Sequence, residues 1–152
     1  MAHPLFIGFR GKNNSSGLLA CSLSPQSCLL TNSFEGLQRD IDQLPAGSGP
    51  VYLFGADKNL HDSFRIEQYA LKGGILLASA LDPEGLARRF VLCGIKASLS
   101  ASPSAYLCNA AYGRLIEKYG GKAVLIHIPT MRHFDREWIP ALRQVFAPGT
   151  DK

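Results

Sequence analysis

The chain has 152 residues, of which 46% are hydrophobic and 18% charged, with a formal net charge of +4. That length suits one domain, 1–152, able to bury a core without disulfides or metals, and the composition excludes wholesale disorder. The basic residues (Lys58, Lys72, Arg88, Arg89, Lys96, Arg114, Lys118 and Lys122 among them) are scattered, which argues against a nucleic-acid partner.

The elements alternate between strand and helix. Pro4–Phe9 is apolar and reads as a first strand, followed by a polar loop at Arg10–Ser16. Ser16 can cap a short helix running to Leu23. Cys28–Thr31 is a short apolar strand. Phe34–Gln43 carries Phe34, Leu37 and Ile41 at helical intervals. The run Pro45-Ala-Gly-Ser-Gly-Pro50 is a turn cluster, and Val51–Gly55 is a buried-type strand. Phe64–Ala70 mixes strand formers and stays ambiguous. Gly74–Ser79 is continuously apolar, so it reads as a strand. Pro83–Phe90 is a helix with proline at its start. Cys93–Ser98 is a further strand. Ser104–Tyr119 is a helix ended by Gly120-Gly121, and Lys122–Ile128 is a strand stopped by Pro129. Asp135–Phe146 is a last helix with Asp135 as its cap. Strands without alternation, separated by helices, imply a three-layer α/β/α sandwich around a mostly parallel sheet.

No segment approaches the roughly 20 apolar residues of a membrane span, so no membrane partner is expected. Met1-Ala2-His3-Pro4 carries no basic leader and Leu5–Phe9 is too short for a signal core, so the expected compartment is cytoplasmic. Cys21, Cys28, Cys93 and Cys108 form no C-x-x-C pair and no zinc-knuckle spacing; reduced thiols are expected.

One stretch carries chemistry: Ser100-Ala-Ser-Pro-Ser-Ala-Tyr-Leu-Cys108-Asn109-Ala-Ala-Tyr112. A thiol in the first turns of a helix feels the positive end of the dipole, which favours thiolate, so a lowered pKa is expected for Cys108. His127 lies 19 positions further on, near the end of a strand. A helix leading back into a parallel strand brings both side chains to one sheet edge, where a Cys–His pair can form.

Ser100, Tyr106, Leu107, Cys108, Asn109 and Tyr112, followed by Ile126, His127 and Pro129, resemble the signature of the pyroglutamyl peptidases (pyrrolidone-carboxylate peptidases). The pattern departs at Ala101, Pro103 and Ser104. Phe6-Ile-Gly8-Phe9 and Asn14-Ser15-Ser16 resemble the family's opening strand and helix start. Phe64-Arg-Ile-Glu67-Gln-Tyr-Ala70 resembles the segment that supplies its catalytic Glu, with Gln68 in place of the usual Arg. The resemblance implies a Glu67–Cys108–His127 triad in which Cys108 is the nucleophile, His127 the base and Glu67 the group that orients the imidazole. It implies Phe9, Tyr106 and Leu107 as the lining of the pyroglutamyl pocket. It implies a thiol exopeptidase that takes small pyroglutamyl peptides, needs no metal or organic cofactor, and forms homo-oligomers. Only 41 positions separate Glu67 from Cys108, and the family's Asp-Ala-Arg segment and acidic, Pro-rich loop have no counterpart there. Two further readings therefore stand beside peptidase activity: a relative repurposed as a binding module, and an amidase for another small acyl substrate.

Overall fold

The structure is a computed structural model that describes residues 3–104 and 106–147. The Met1-Ala2 start and the end of the chain from 148 lie outside the described residues. Among the described residues eight strands and five α-helices follow in order: β1 (Leu5–Phe9), α1 (Ser15–Leu23), β2 (Cys28–Leu30), α2 (Phe34–Asp42), β3 (Val51–Asp57), β4 (Ser63–Glu67), β5 (Tyr69–Lys72), β6 (Ile75–Ala78), α3 (Pro83–Leu92), β7 (Lys96–Ser100), α4 (Tyr106–Lys118), β8 (Ala123–Pro129) and α5 (Ile139–Val145). Six strands form one sheet in the order β2-β1-β3-β8-β4-β7.

The central strands β1, β3 and β8 lack alternation because both faces of the sheet are covered. Phe6, Tyr52, Phe54, Val124 and Ile126 pack on one side with Leu19 of α1, Phe90 of α3 and Leu142 of α5. Their neighbours Ile7, Leu53 and Leu125 pack on the other with Leu37 of α2 and Tyr112 and Leu115 of α4. The outcome is the expected three-layer sandwich.

The sheet is parallel except at one seam. β2, β1, β3 and β8 run together, while β4 lies antiparallel to β8 and carries β7 parallel to itself. The reversal follows from the link at 58–62, which holds no helix. A parallel return needs a crossover of about a dozen residues or more. The chain turns at Asp57, whose carboxylate and carbonyl accept from Asn59 and Leu60 N–H, and comes back in the opposite sense.

The start of α1 is stitched to the carboxyl end of the sheet. Asn14, rather than the expected Ser16, caps it by accepting from Ser16 N–H; Ser16 lies within the first turn. Ser16 Oγ accepts from Phe9 N–H at 3.0 Å, and Ser15 Oγ donates to the Pro129 carbonyl at 2.7 Å. A side chain at Gly8 would sit 2.4 Å from the Ser16 carbonyl oxygen, so this close approach requires glycine.

Three elements differ from expectation. Ile75–Ala78 is a strand, but it pairs only with β5 in a separate hairpin, with Ile75 64% exposed. Gly73 and Gly74, both at positive φ, make its two-residue turn. The strand expected at Cys93 begins at Lys96, because Cys93 closes α3 and Gly94 turns the chain at φ 84°. The last helix is split into a 3₁₀ turn at Arg136–Trp138, capped by Asp135, and α5.

Phe54 is fully buried and stacks on Phe6 and edge-on to Phe146. Phe54→Ala is expected to lower stability in urea denaturation by about 3–5 kcal/mol. Leu92→Ala, at a side chain 84% exposed, should change it by no more than about 0.5 kcal/mol. Equal effects at the two positions would contradict this packing.

Candidate active site

The reversed seam brings the polar groups together. In the ladder, His127 of β8 lies between Gly55 of β3 and Arg65 of β4. Side chains two apart on a strand share a face, so Asp57, Arg65, Glu67 and His127 line one patch of the sheet. α4 covers that patch and brings Cys108 in its first turn.

Glu67 and His127 are both buried, at 1% and 5% exposure. His127 Nδ1 lies 2.8 Å from Glu67 Oε2. Arg65 Nε donates to the same oxygen at 2.7 Å, and the guanidinium also donates to Asp57 Oδ2 at 2.7 Å. Glu67 Oε1 is buried, and no side chain or backbone group among the described residues donates to it. Burial alone would raise the Glu67 pKa. The hydrogen bonds and charges of His127 and Arg65 outweigh it and hold the carboxyl below the usual range. An ionised Glu67 accepts from Nδ1–H, which leaves the lone pair of His127 on Nε2.

That nitrogen and the thiol converge on Gly55. A side-chain carbon there would lie 2.6 Å from Cys108 Sγ and 3.4 Å from His127 Nε2. Glycine is what leaves sulfur and imidazole a shared space. Three further bonds seat α4. Tyr112, one turn beyond Cys108, donates its hydroxyl to the Glu67 carbonyl at 2.8 Å. Asn109 accepts from Leu71 N–H and donates to Leu71 C=O, both at 2.8 Å, which ties the helix start to the β5–β6 hairpin.

The thiol differs from expectation. The Cys108 pKa is not lowered but pushed up to about 11. Burial is the largest cause, the carboxylates of Asp57 and Glu67 add to it, and Arg65 opposes them. Two negative charges and lost hydration outweigh the dipole of one helix. At neutral pH the resting group is a thiol.

Of the residues picked from sequence, Cys108, His127 and Glu67 come together. Leu107 is half-buried and packs, like Cys108, on the apolar layer that contains Phe9. Phe9 is only 4% exposed and sits inside that layer. Tyr106 opens α4 at φ 65° and is 83% exposed, away from the buried cluster. The sequence reading missed Gly55, Asp57 and Arg65. The signal for Arg65 was its spacing of two from Glu67, hidden because that segment was not resolved into a strand. Among the described residues no three His, Cys, Asp or Glu side chains are placed to hold a metal ion. Among the described residues no helix is long and apolar enough to cross a membrane.

No family model and no curated protein matches the chain. Solved structures do. The chain is similar to the pyrrolidone carboxyl peptidase from Thermococcus litoralis, with a TM-score of 0.80 and 17% identity over 95% of this chain and 91% of that one. It is similar to the enzyme from Thermus thermophilus, with a TM-score of 0.79 and 18% identity over 95% and 97%. It is also similar to that from Fervidobacterium islandicum, with a TM-score of 0.71 and 14% identity over 95% and 94%. The chain has the pyrrolidone carboxyl peptidase fold, as the sequence resemblance implied.

Removing one of the charges that suppress ionisation of Cys108 should make the thiol more reactive. Asp57→Asn is expected to speed alkylation of Cys108 by iodoacetamide at neutral pH, with the rate in the unaltered protein rising steeply into the alkaline range. Mass spectrometry of labelled peptides reads both. A slower or unchanged rate in Asp57→Asn would contradict the electrostatic assignment.

Proposed function

We propose that the chain is a cysteine hydrolase that removes N-terminal pyroglutamyl residues from peptides. One observation carries this reading: the buried Glu67–His127 pair turns Nε2 toward the space that holds Cys108 Sγ. The fold shared with pyrrolidone carboxyl peptidases and the Cys108-Asn109 and His127-x-Pro129 motifs support the substrate class.

In this reading Cys108 is the nucleophile and His127 the base. Substrate binding excludes water, and the thiol proton passes to Nε2 as sulfur attacks the acyl carbon of the pyroglutamyl residue. The raised thiol pKa makes that transfer part of the attack rather than a resting ionisation. Glu67 stabilises the imidazolium through Nδ1–H. The Cys108 backbone N–H is one donor for the oxyanion, a role whose loss costs about 10²–10³ in rate. The C–N bond breaks, and Nε2–H protonates the departing amine. Water, deprotonated by His127, then hydrolyses the thioester and frees pyroglutamate. Leu107, on its apolar bed around Phe9, offers a surface for the lactam ring.

A second reading, a binding module for the same ligand class, is favoured by the raised pKa of Cys108. The two readings separate on turnover.

A fluorogenic pyroglutamyl amide in reducing buffer is expected to be cleaved, and Cys108→Ala should abolish cleavage. Gly55→Ala should lose about 100-fold or more, since it displaces sulfur or imidazole by roughly an ångström. Circular dichroism checks that each variant folds. A folded wild-type protein that binds the amide but never cleaves it would replace the peptidase reading with the binding module.

A further inference from the structure

We propose that Arg65 is a positioning residue: braced by Asp57, its guanidinium holds Glu67 so that His127 keeps Nε2 free for the Cys108 proton. This rests on the reading of Cys108 and His127 as a hydrolytic pair, and assigns work to a residue that reading does not use.

The guanidinium spans the two strands that flank β8. It leaves β4 directly across from His127 in the ladder, reaches Glu67 Oε2 through Nε, and reaches Asp57 Oδ2 of β3 through its terminal nitrogen, each at 2.7 Å. Its two carboxylate partners differ in exposure. Glu67 is sealed at 1%, while Asp57 and Arg65 lie part-open at 16% and 26%. The planar fork thus carries charge compensation from the rim to a buried anion. A lysine ammonium lacks that geometry, since it offers one point charge to two oxygens on separate strands.

The burden on Arg65 is set by how Glu67 is held: its two side-chain partners, Arg65 Nε and His127 Nδ1, share the one oxygen Oε2. The groups facing Glu67 are His127 from β8, Arg65 from β4 and, at its backbone carbonyl, Tyr112 from α4. Asp57 and Cys108 stand beyond them. Without Arg65 the one donor left to the carboxylate among the described residues is His127 itself. Burial, which acts to raise the Glu67 pKa, then goes less opposed. Once protonated, Glu67 donates to Nδ1 instead of accepting from it. The ring proton moves to Nε2, and the nitrogen facing Cys108 can no longer take a proton. The sign is fixed: the carboxylate arrangement holds above the Glu67 pKa and is lost as pH falls through it, so removing Arg65 moves the loss to higher pH.

The test reads the imidazole directly and activity beside it. ¹⁵N spectra of the histidine rings, with His127 assigned through His127→Gln, are compared in wild type, Arg65→Gln, Arg65→Lys and the surface control Arg88→Gln. Wild type and control should show Nδ1 protonated and Nε2 bare near neutral pH. Arg65→Gln should show a substantial Nε2–H population. On a pyroglutamyl amide its kcat should fall about 10–100-fold with KM little changed. The acid limb of its pH profile should move up by about one unit or more. Arg65→Lys should fall between. A folded Arg65→Gln with wild-type ring shifts and pH profile would overturn the proposal. Should Arg65→Gln not fold, Arg65→Lys and Asp57→Asn take its place, and unchanged His127 shifts in both would overturn it equally. A wild type without turnover defeats the peptidase reading alone, because the ring spectra still decide the role of Arg65.

Discussion

The pairing of Glu67 with His127 at 2.8 Å is the interaction on which the rest of the site depends. It is a carboxylate sealed inside the protein, and a sealed charge is costly unless it is paired and hydrogen-bonded. The fold meets that cost from both sides. The side chain of Glu67 takes His127 and Arg65, while its backbone carbonyl takes the hydroxyl of Tyr112 from α4. One residue therefore joins the strand that carries the imidazole to the helix that carries the thiol.

Such a junction requires β4 to run backwards. Were it parallel to β8, the register that sets Arg65 against His127 and Glu67 against Leu125 would not exist. The link at 58–62 is too short for a helical crossover, so the chain returns antiparallel, and β8 later enters between β3 and β4. His127 then has a neighbour on each side with a distinct task. Gly55 gives up its side chain to make room, and Arg65 supplies charge.

Much of this was legible in the residues, and the gaps have physical causes. β8 reads as a strand because Ala123–Ile128 is apolar on both faces, and β3 for the same reason. β4 mixes Ser63, Phe64, Arg65, Ile66 and Glu67, a true alternation with an inner apolar face and a polar one facing the site. That period was masked by its shortness. Strand direction is not written in side-chain pattern at all; only the missing helix before β4 hints at it. Ile75–Ala78 looks like buried strand, yet periodicity cannot say what covers it, and here little does. The approach of Cys108 and His127 to one place beside Gly55 was readable from helix start and strand end. Glu67 was readable only from a motif, because its burial depends on strands distant in sequence. The pKa of Cys108 was misjudged for the same reason. The helix dipole is local and visible in the sequence, whereas the burial that raises the pKa most, and the carboxylates of Asp57 and Glu67 that add to it, come from packing against strands distant in sequence.

This opposition between local and distant charge explains how the site divides its labour. The imidazole side is built on strands: His127, Glu67, Arg65 and Asp57 are fixed by a ladder and by mutual bonds, which is what an imidazole needs to keep one tautomer. The thiol is on a helix held at discrete points, by Asn109 to the hairpin and Tyr112 to Glu67. Two carboxylates are required to fix and charge-balance the imidazole side, and the same carboxylates raise the thiol pKa across the gap. Arg65 is the group that acts on both terms, since it lowers the Glu67 pKa and opposes the rise at Cys108. In the proposed hydrolase, an arrangement that stabilises an imidazolium favours proton transfer once a carbonyl is in place, and keeps the sulfur protonated until then.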